Sequence, residues 1–178
     1  MKLTDLRIHW SLSLLSGVFL LPIAALAWLF INQSYKDIDF ADKERAGNRY
    51  IATIRQVMVP LARGEGGQAV QSLAAIRQID AEIGAQMMLD DTMDQGSAAT
   101  QQAVAGALST RSALAALRQL VTRVGDGSNL ILDPDLDSYY CMDLVVLKLP
   151  QAIELSQAVL DSAHVVLSKE KQIGRAHV

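Results

Sequence analysis

From Trp10 to Ile31 the chain runs 22 residues without a charge. A helix rising ~1.5 Å per residue crosses the ~30 Å hydrocarbon core of a bilayer with about 20 such residues. Trp10 and Trp28 lie near the two ends of the run, where amphipathic rings favour the membrane interface. Pro22 falls mid-span, a position that membrane helices tolerate better than soluble ones. A cleaved signal peptide is the competing reading, with Lys2 and Arg7 as its basic start and Ala25-Leu26-Ala27 as its cleavage site. The apolar run continues past that site through Trp28, Leu29, Phe30 and Ile31, so residues 10–31 read as an uncleaved transmembrane helix. A buried soluble helix is the third reading of the same run. Lys2 and Arg7 in the short leader, residues 1–9, place the N-terminus in the cytoplasm. In a bacterium the remainder is then periplasmic, and the span lies in the inner membrane.

Beyond the span the periodicity is helical throughout, and no alternating strand pattern of useful length appears. Ala46, Tyr50, Ile54, Val57, Met58 and Leu61 recur at spacings of three and four, which predicts an amphipathic helix over 32–63 that continues the membrane helix. Pro60 and Gly64-Glu65-Gly66-Gly67 end it. A second helix fits 68–89, with Val70, Leu73, Ile76, Ile79, Ile83 and Met87 as its stripe. Asp90-Asp91 and Gln95-Gly96-Ser97 make a polar break. A third helix fits 98–124, on Val104, Leu108, Leu114, Leu117, Leu120, Val121 and Val124. A fourth, 134–171, opens with Asp133 as N-cap and Pro134 in the first helical position. Asp135 and Asp137 add charge that the helix dipole favours in its first turn. Pro150 kinks this helix without ending it.

The expected architecture is all-α: an N-terminal transmembrane helix continuing into an antiparallel up-down bundle of about four helices over 32–171. Helices one and three lead away from the membrane; two and four lead back. The last residues, Ile173-Gly174-Arg175-Ala176-His177-Val178, break the apolar pattern and match the translation of the opening bases of a common short-read sequencing adapter. Residues 172–178 are therefore read as an assembly scar. The gene is expected to continue beyond about Lys171 into a second span and a cytoplasmic part, which leaves this bundle truncated.

Composition narrows the chemistry. A formal charge of -3 leaves no basic footprint for nucleic acid. Cys141 is the single cysteine, which excludes an internal disulfide and a Cys-rich metal site. Asp133, Asp135 and Asp137 have the spacing that opens a calcium loop. Its sixth and twelfth positions here hold Ser138 and Leu144 in place of Gly and Glu, so the motif fails and reads as a helix cap. His9, His164 and His177 share no metal-ligand spacing. The Gly64–Gly67 stretch lacks the Lys-Ser/Thr of a phosphate loop. No nucleophile set can be argued, so neither catalysis nor a cofactor is expected. Arg45, Arg49 and Arg55 lie beside the apolar stripe of the first outer helix and are candidates for gripping a carboxylate ligand. A solvated helix face is the favoured reading of them.

Residues 127–150, GSNLILDPDLDSYYCMDLVVLKLP, resemble the periplasmic helical sensor region of bacterial transmembrane signalling receptors, and KERAGNRY at 43–50 resembles its start. Methyl-accepting chemotaxis proteins have this look, and some sensor histidine kinases are similar outside the membrane. The resemblance covers about residues 40–165. It implies a ligand-sensing input region that works as a homodimer, bound to a small molecule or to a periplasmic binding protein. Its cytoplasmic signalling partners would be reached only through a part absent from this sequence. Helix shifts of about 1–2 Å are a typical switching mode for such a region. The competing expectations are the input region of a histidine kinase and a single-span anchored interaction bundle.

Overall fold

The computed structural model describes the backbone of residues 3–87, 89, 91–132 and 136–176, and side chains over 9–87, 89, 91–131 and 139–168. Among the described residues the chain is helical throughout its regular structure, with no strand. It divides into two compact units, Met1–Asp42 and Lys43–Val178.

The first unit consists of the N-terminal part of helix α1 (Leu3–Ala62). Here the apolar side chains are exposed on every side: Trp10, Phe19, Leu21, Trp28 and Phe30 are each more than 60% accessible. In water such a surface costs about 25 cal/mol for each Å² left uncovered, which a hydrocarbon environment removes. The backbone satisfies its own hydrogen bonds, as a segment in lipid must. Among the described residues this is the one helix long and apolar enough to cross a membrane.

In the second unit the distal part of α1 pairs with α2 (Gly66–Ile79), which continues through a π-helical turn, Asp80–Gly84, to a last α turn ending at Met87. Helices α3 (Thr92–Val104) and α4 (Thr110–Gly127) form a hairpin. A short 3₁₀ turn, Leu130–Leu132, precedes α5 (Leu136–Met142). A second π turn, Asp143–Lys148, joins α5 to α6 (Leu149–Ala176).

The core is a single apolar cluster. Tyr50, Ile54, Val57, Met58 and Leu61 of α1 meet Leu73 and Ile76 of α2 and Ala113, Leu114, Leu117, Leu120, Val121 and Val124 of α4. Every one of these is 4% accessible or less. The predicted stripes of α1 and α2 are therefore the packed faces, except for Val70, which is exposed at 37%.

Two corrections follow at the third predicted helix. Gln95-Gly96-Ser97 form no break: they lie within α3, and Gly96 and Ser97 are buried. A Cβ on Gly96 would sit 3.3 Å from the Leu117 side chain, so the missing side chain lets α3 and α4 approach closely. The break falls instead at residues 105–109. Gly106 takes φ +76°, open to glycine at no steric cost. Its N–H donates to the Ala103 carbonyl while the Ala107 N–H donates to that of Gln102, which closes the end of α3. Ser109 then caps α4 by accepting from the Ser112 N–H at 3.1 Å. The same glycine closure ends α1: Gly64 (φ +78°) donates to Leu61 and Glu65 to Pro60.

The extra break changes the direction of the last helix. In the second unit α1 and α2 are antiparallel, since Tyr50 meets Asp80 while Glu65 lies at the connection between them. Helices α4 and α6 are antiparallel as well. A Cβ on Gly125 would lie 2.9 Å from Val146, and Arg118 pairs with Glu154. The buried side-chain amide of Gln157 donates to the Ala62 carbonyl, one of the acceptors left open at the end of α1. The helical bundle is as expected, with five passes where about four were predicted, and α6 runs in the same direction as Lys43–Ala62. The predicted return of the last helix toward the Lys43 end does not occur.

Pro150 is tolerated as expected. It stands just after the Asp143–Lys148 π turn, a widened turn of the kind that absorbs a missing N–H. Helix α6 continues through 172–176, where an end was expected. The cap motif of Asp133, Pro134 and Asp135 lies outside the described residues, as does His177. Asp137 is described only in its backbone, within α5.

Replacing Leu117 with Ala should cost about 2–5 kcal/mol, because its side chain is fully buried within the core cluster. Val159→Ala, at a position 68% accessible, should stay within about 0.5 kcal/mol. Denaturant unfolding in detergent checks the pair. Equal losses would contradict this placement of the core.

Candidate functional site

The seam between α1 and α2 opens on its outer side into a groove. Its floor and walls come from two helical lines that the sequence pattern leaves polar, next to the buried stripes. Along α1 these are Arg49, Ala52, Gln56, Val59 and Arg63, spaced three or four apart and hence on one face. Arg55 stands at their flank and is half-buried. From α2 come Gln68, Ser72, Ala75, Gln78 and Glu82. The larger section, about 620 Å³, lies between Ala52 and the α1–α2 turn and contains Arg55, Arg63, Gln56, Gln68, Ser72, Val59, Pro60 and Glu65. A second section shares Ala52 and Gln56 with it and ends at Arg49 and Glu82.

The three candidate arginines have different fates. Arg49 donates to the Glu82 carboxylate at 3.3 Å, closing one end of the groove. Both side chains are more than half accessible, so the pair adds at most about 1 kcal/mol. Arg55 lines the larger section and makes no ion pair among the described residues. Arg45 is exposed and lines neither section. The structure thus brings Arg55 into the groove, commits Arg49 to a carboxylate and leaves Arg45 outside.

Arg63 joins Arg55 in the groove, and sequence reasoning passed over it. Its position is fixed by the α1 terminus: it is the last residue before Gly64, and its N–H donates to the Val59 and Pro60 carbonyls. The signal was present in the sequence, since Arg63 is two helical turns from Arg55 and directly precedes the glycine stretch.

The register of the two walls is set below the groove by Tyr50 and Asp80. Tyr50 is fully enclosed, and its hydroxyl donates to Asp80 Oδ1 at 2.8 Å. Asp80 opens the π turn of α2, and a Cβ on Gly84 would meet its carboxylate at 2.2 Å. Only a glycine at 84 leaves room for that carboxylate to reach Tyr50. Burial first, then the hydrogen bond and the charge of Asp80, hold the Tyr50 phenol far above its ordinary value of 10.0.

A second cleft, about 340 Å³, lies between α4 and α6 and is lined by Arg118, Thr122, Val146, Lys148, Gln151 and Glu154. Arg118 Nε donates to Glu154 Oε2 at 2.7 Å, so its charge is already matched. No group of three or more His, Cys, Asp or Glu side chains with metal-binding geometry occurs among the described residues. Cys141 is exposed on α5. Tyr139 and Tyr140 are exposed beside it and stack edge-on at 6.1 Å.

No family model matches this chain, and neither does any curated protein or solved structure.

The Tyr50 contact generates a pH dependence of known sign. Its folded pKa is raised, so its stabilisation is fully present below pH ~10 and is lost as pH rises toward the folded value. Above pH ~10 the unfolded state releases a proton that the folded state keeps. Stability should therefore fall by up to about 1.4 kcal/mol for each further pH unit. Tyr50→Phe should remove that increment of slope. Denaturant titrations of both proteins between pH 8 and 11 measure it, and parallel curves would show that the phenol does not titrate as the geometry requires.

Proposed function

We propose that this chain is the ligand-sensing input region of a bacterial transmembrane receptor of the chemoreceptor type. One observation carries the reading: the helix that contributes a membrane-length uncharged segment, Trp10–Ile31, also contributes one wall of the polar groove. A ligand that draws the groove walls together acts directly on α1. A shift of about 1–2 Å along or around that helix is then the signal. Because α6 runs parallel to the distal part of α1, α1 is the signalling element of this proposal. The resemblance of GSNLILDPDLDSYYCMDLVVLKLP to sensor regions of this type supports the same reading, as does the basic leader, which favours a periplasmic bundle. The homodimer belongs to the proposal on the same resemblance.

Cys141, exposed and the only thiol, is a native topology probe. A membrane-impermeant maleimide should label it in intact spheroplasts, and the Cys141→Ser protein should take up none. Labelling only after lysis would place the bundle in the cytoplasm and overturn the proposal. The output is read at the gene. A frame that continues past the codon for Lys171 into a second span and a long cytoplasmic helical hairpin gives the chemoreceptor. A histidine phosphoacceptor with an ATP-binding domain would make the same input region part of a kinase. A stop directly after Val178 would leave an anchored interaction bundle and remove transmembrane signalling.

A further inference from the structure

We infer that the α1–α2 groove binds an aliphatic dicarboxylate with an extended apolar spacer, one carboxylate at Arg55 and the other at Arg63. The inference deepens the sensor reading by naming a ligand class, and rests on it only for the purpose that binding serves.

The argument begins with the spacing of charge. Arg55 of α1 and Arg63, the residue that follows its last turn, are eight residues apart, or about 12 Å along the helix axis. Between them on the groove wall stands the half-buried Val59, with the buried Pro60 behind it. Neither guanidinium has an ion-pair partner among the described residues, whereas Arg49 and Arg118 do. A planar guanidinium favours a carboxylate through two parallel N–H donors, and each such contact is charge-assisted. A cation on either side of an apolar step matches a ligand with an anion at each end and methylenes in the middle. A compact dianion such as phosphate reaches one arginine or the other, because it cannot span the distance between them.

The polar groups of the opposite wall fit the same ligand. Gln68 and Ser72 of α2, with Gln56 of α1, are neutral hydrogen-bonding groups that orient a carboxylate without adding charge. Glu65 is the opposing element. It lies at the turn beside Arg63 and repels an incoming carboxylate. Its presence sets the affinity below what two arginines alone would give. Arg49 takes no part, because Glu82 already satisfies it. This section of the groove, about 620 Å³, is shallow and widely open, so a ligand there keeps part of its surface in solvent.

The test is calorimetric titration of the full chain in lipid nanodiscs with succinate, adipate, suberate and inorganic phosphate. Affinity should rise from succinate to suberate, and phosphate should bind weakly or not at all. Arg55→Gln and Arg63→Gln should each weaken suberate binding about tenfold, the loss of one charge-assisted contact. Glu65→Gln should strengthen it several-fold, an effect no general destabilisation produces. Arg45→Gln should leave it unchanged. Absence of heat with every dicarboxylate would overturn the inference, as would equal affinity for phosphate and suberate, or suberate binding indifferent to both arginine substitutions. Circular dichroism of each variant confirms that the helices persist. Failure here leaves the topology and gene tests of the sensor reading untouched, and failure of those leaves this binding measurement intact.

Discussion

Helix α1 carries two different surfaces, and the packing of the second unit depends on the one-sided stripe of its distal part. Over Trp10–Ile31 it offers apolar side chains around its whole circumference, a surface long and apolar enough to cross a membrane. Over Gly47–Leu61 it offers a single apolar stripe, and the covering comes from the protein itself: Tyr50, Ile54, Val57 and Met58 are fully enclosed. A helix that changes from all-round to one-sided apolarity needs no break at the change, because its backbone hydrogen bonds are internal in both settings. The distal stripe is then the surface on which α2 and α4 assemble.

Close approach to that stripe is secured by absent side chains at a few points. A Cβ at Gly47 would sit 2.2 Å from Ser128 Oγ, so α1 meets the end of α4 only because residue 47 is glycine. The Tyr50–Asp80 contact complements this apolar fit with a polar one. An enclosed hydroxyl must find a partner, and Asp80 reaches it from a π turn that brings an extra residue into the α2 backbone. Register between α1 and α2 is thereby fixed, and the outer face of their seam becomes a groove of defined lining. The groove is polar because it lies one helical position away from the buried stripe on both helices.

The elements of regular pattern were legible in the sequence. The stripe of α1, its end near Pro60 and Gly64, and most of the stripe of α2 fall where the three-and-four spacing puts them, because burial on one helical face imposes that period. The break between α3 and α4 was misplaced for a definable reason. Gln95-Gly96-Ser97 is polar and contains glycine, yet Gly96 is buried for close helix packing, and Ser97 is buried beside Met93, to whose sulfur it donates at 3.5 Å. The actual break at Gly106 is followed three residues later by a capping serine, a closing and opening pair that apolar periodicity through Val104 and Leu108 masked. Arg45, Arg49 and Arg55 were marked together beside the apolar stripe, and the groove takes in two of them and leaves Arg45 out. Arg63 was not singled out, because it stands at the end of the predicted helix, against the glycine stretch and apart from that cluster.

The sequence by itself determined the all-helical character, the membrane-length segment and the identity of the packed faces of α1 and most of α2. These follow from local periodicity and from transfer of side chains out of water, which each segment expresses on its own. Tertiary structure decided how many times the chain crosses the second unit, and therefore which way its last helix runs. It also decided which arginines are neutralised and which stay available. Those outcomes depend on where distant segments meet: Glu82 with Arg49, Glu154 with Arg118, and Gln157 with the carbonyl of Ala62. Partners 33, 36 and 95 residues apart leave no trace in a window of one or two helical turns.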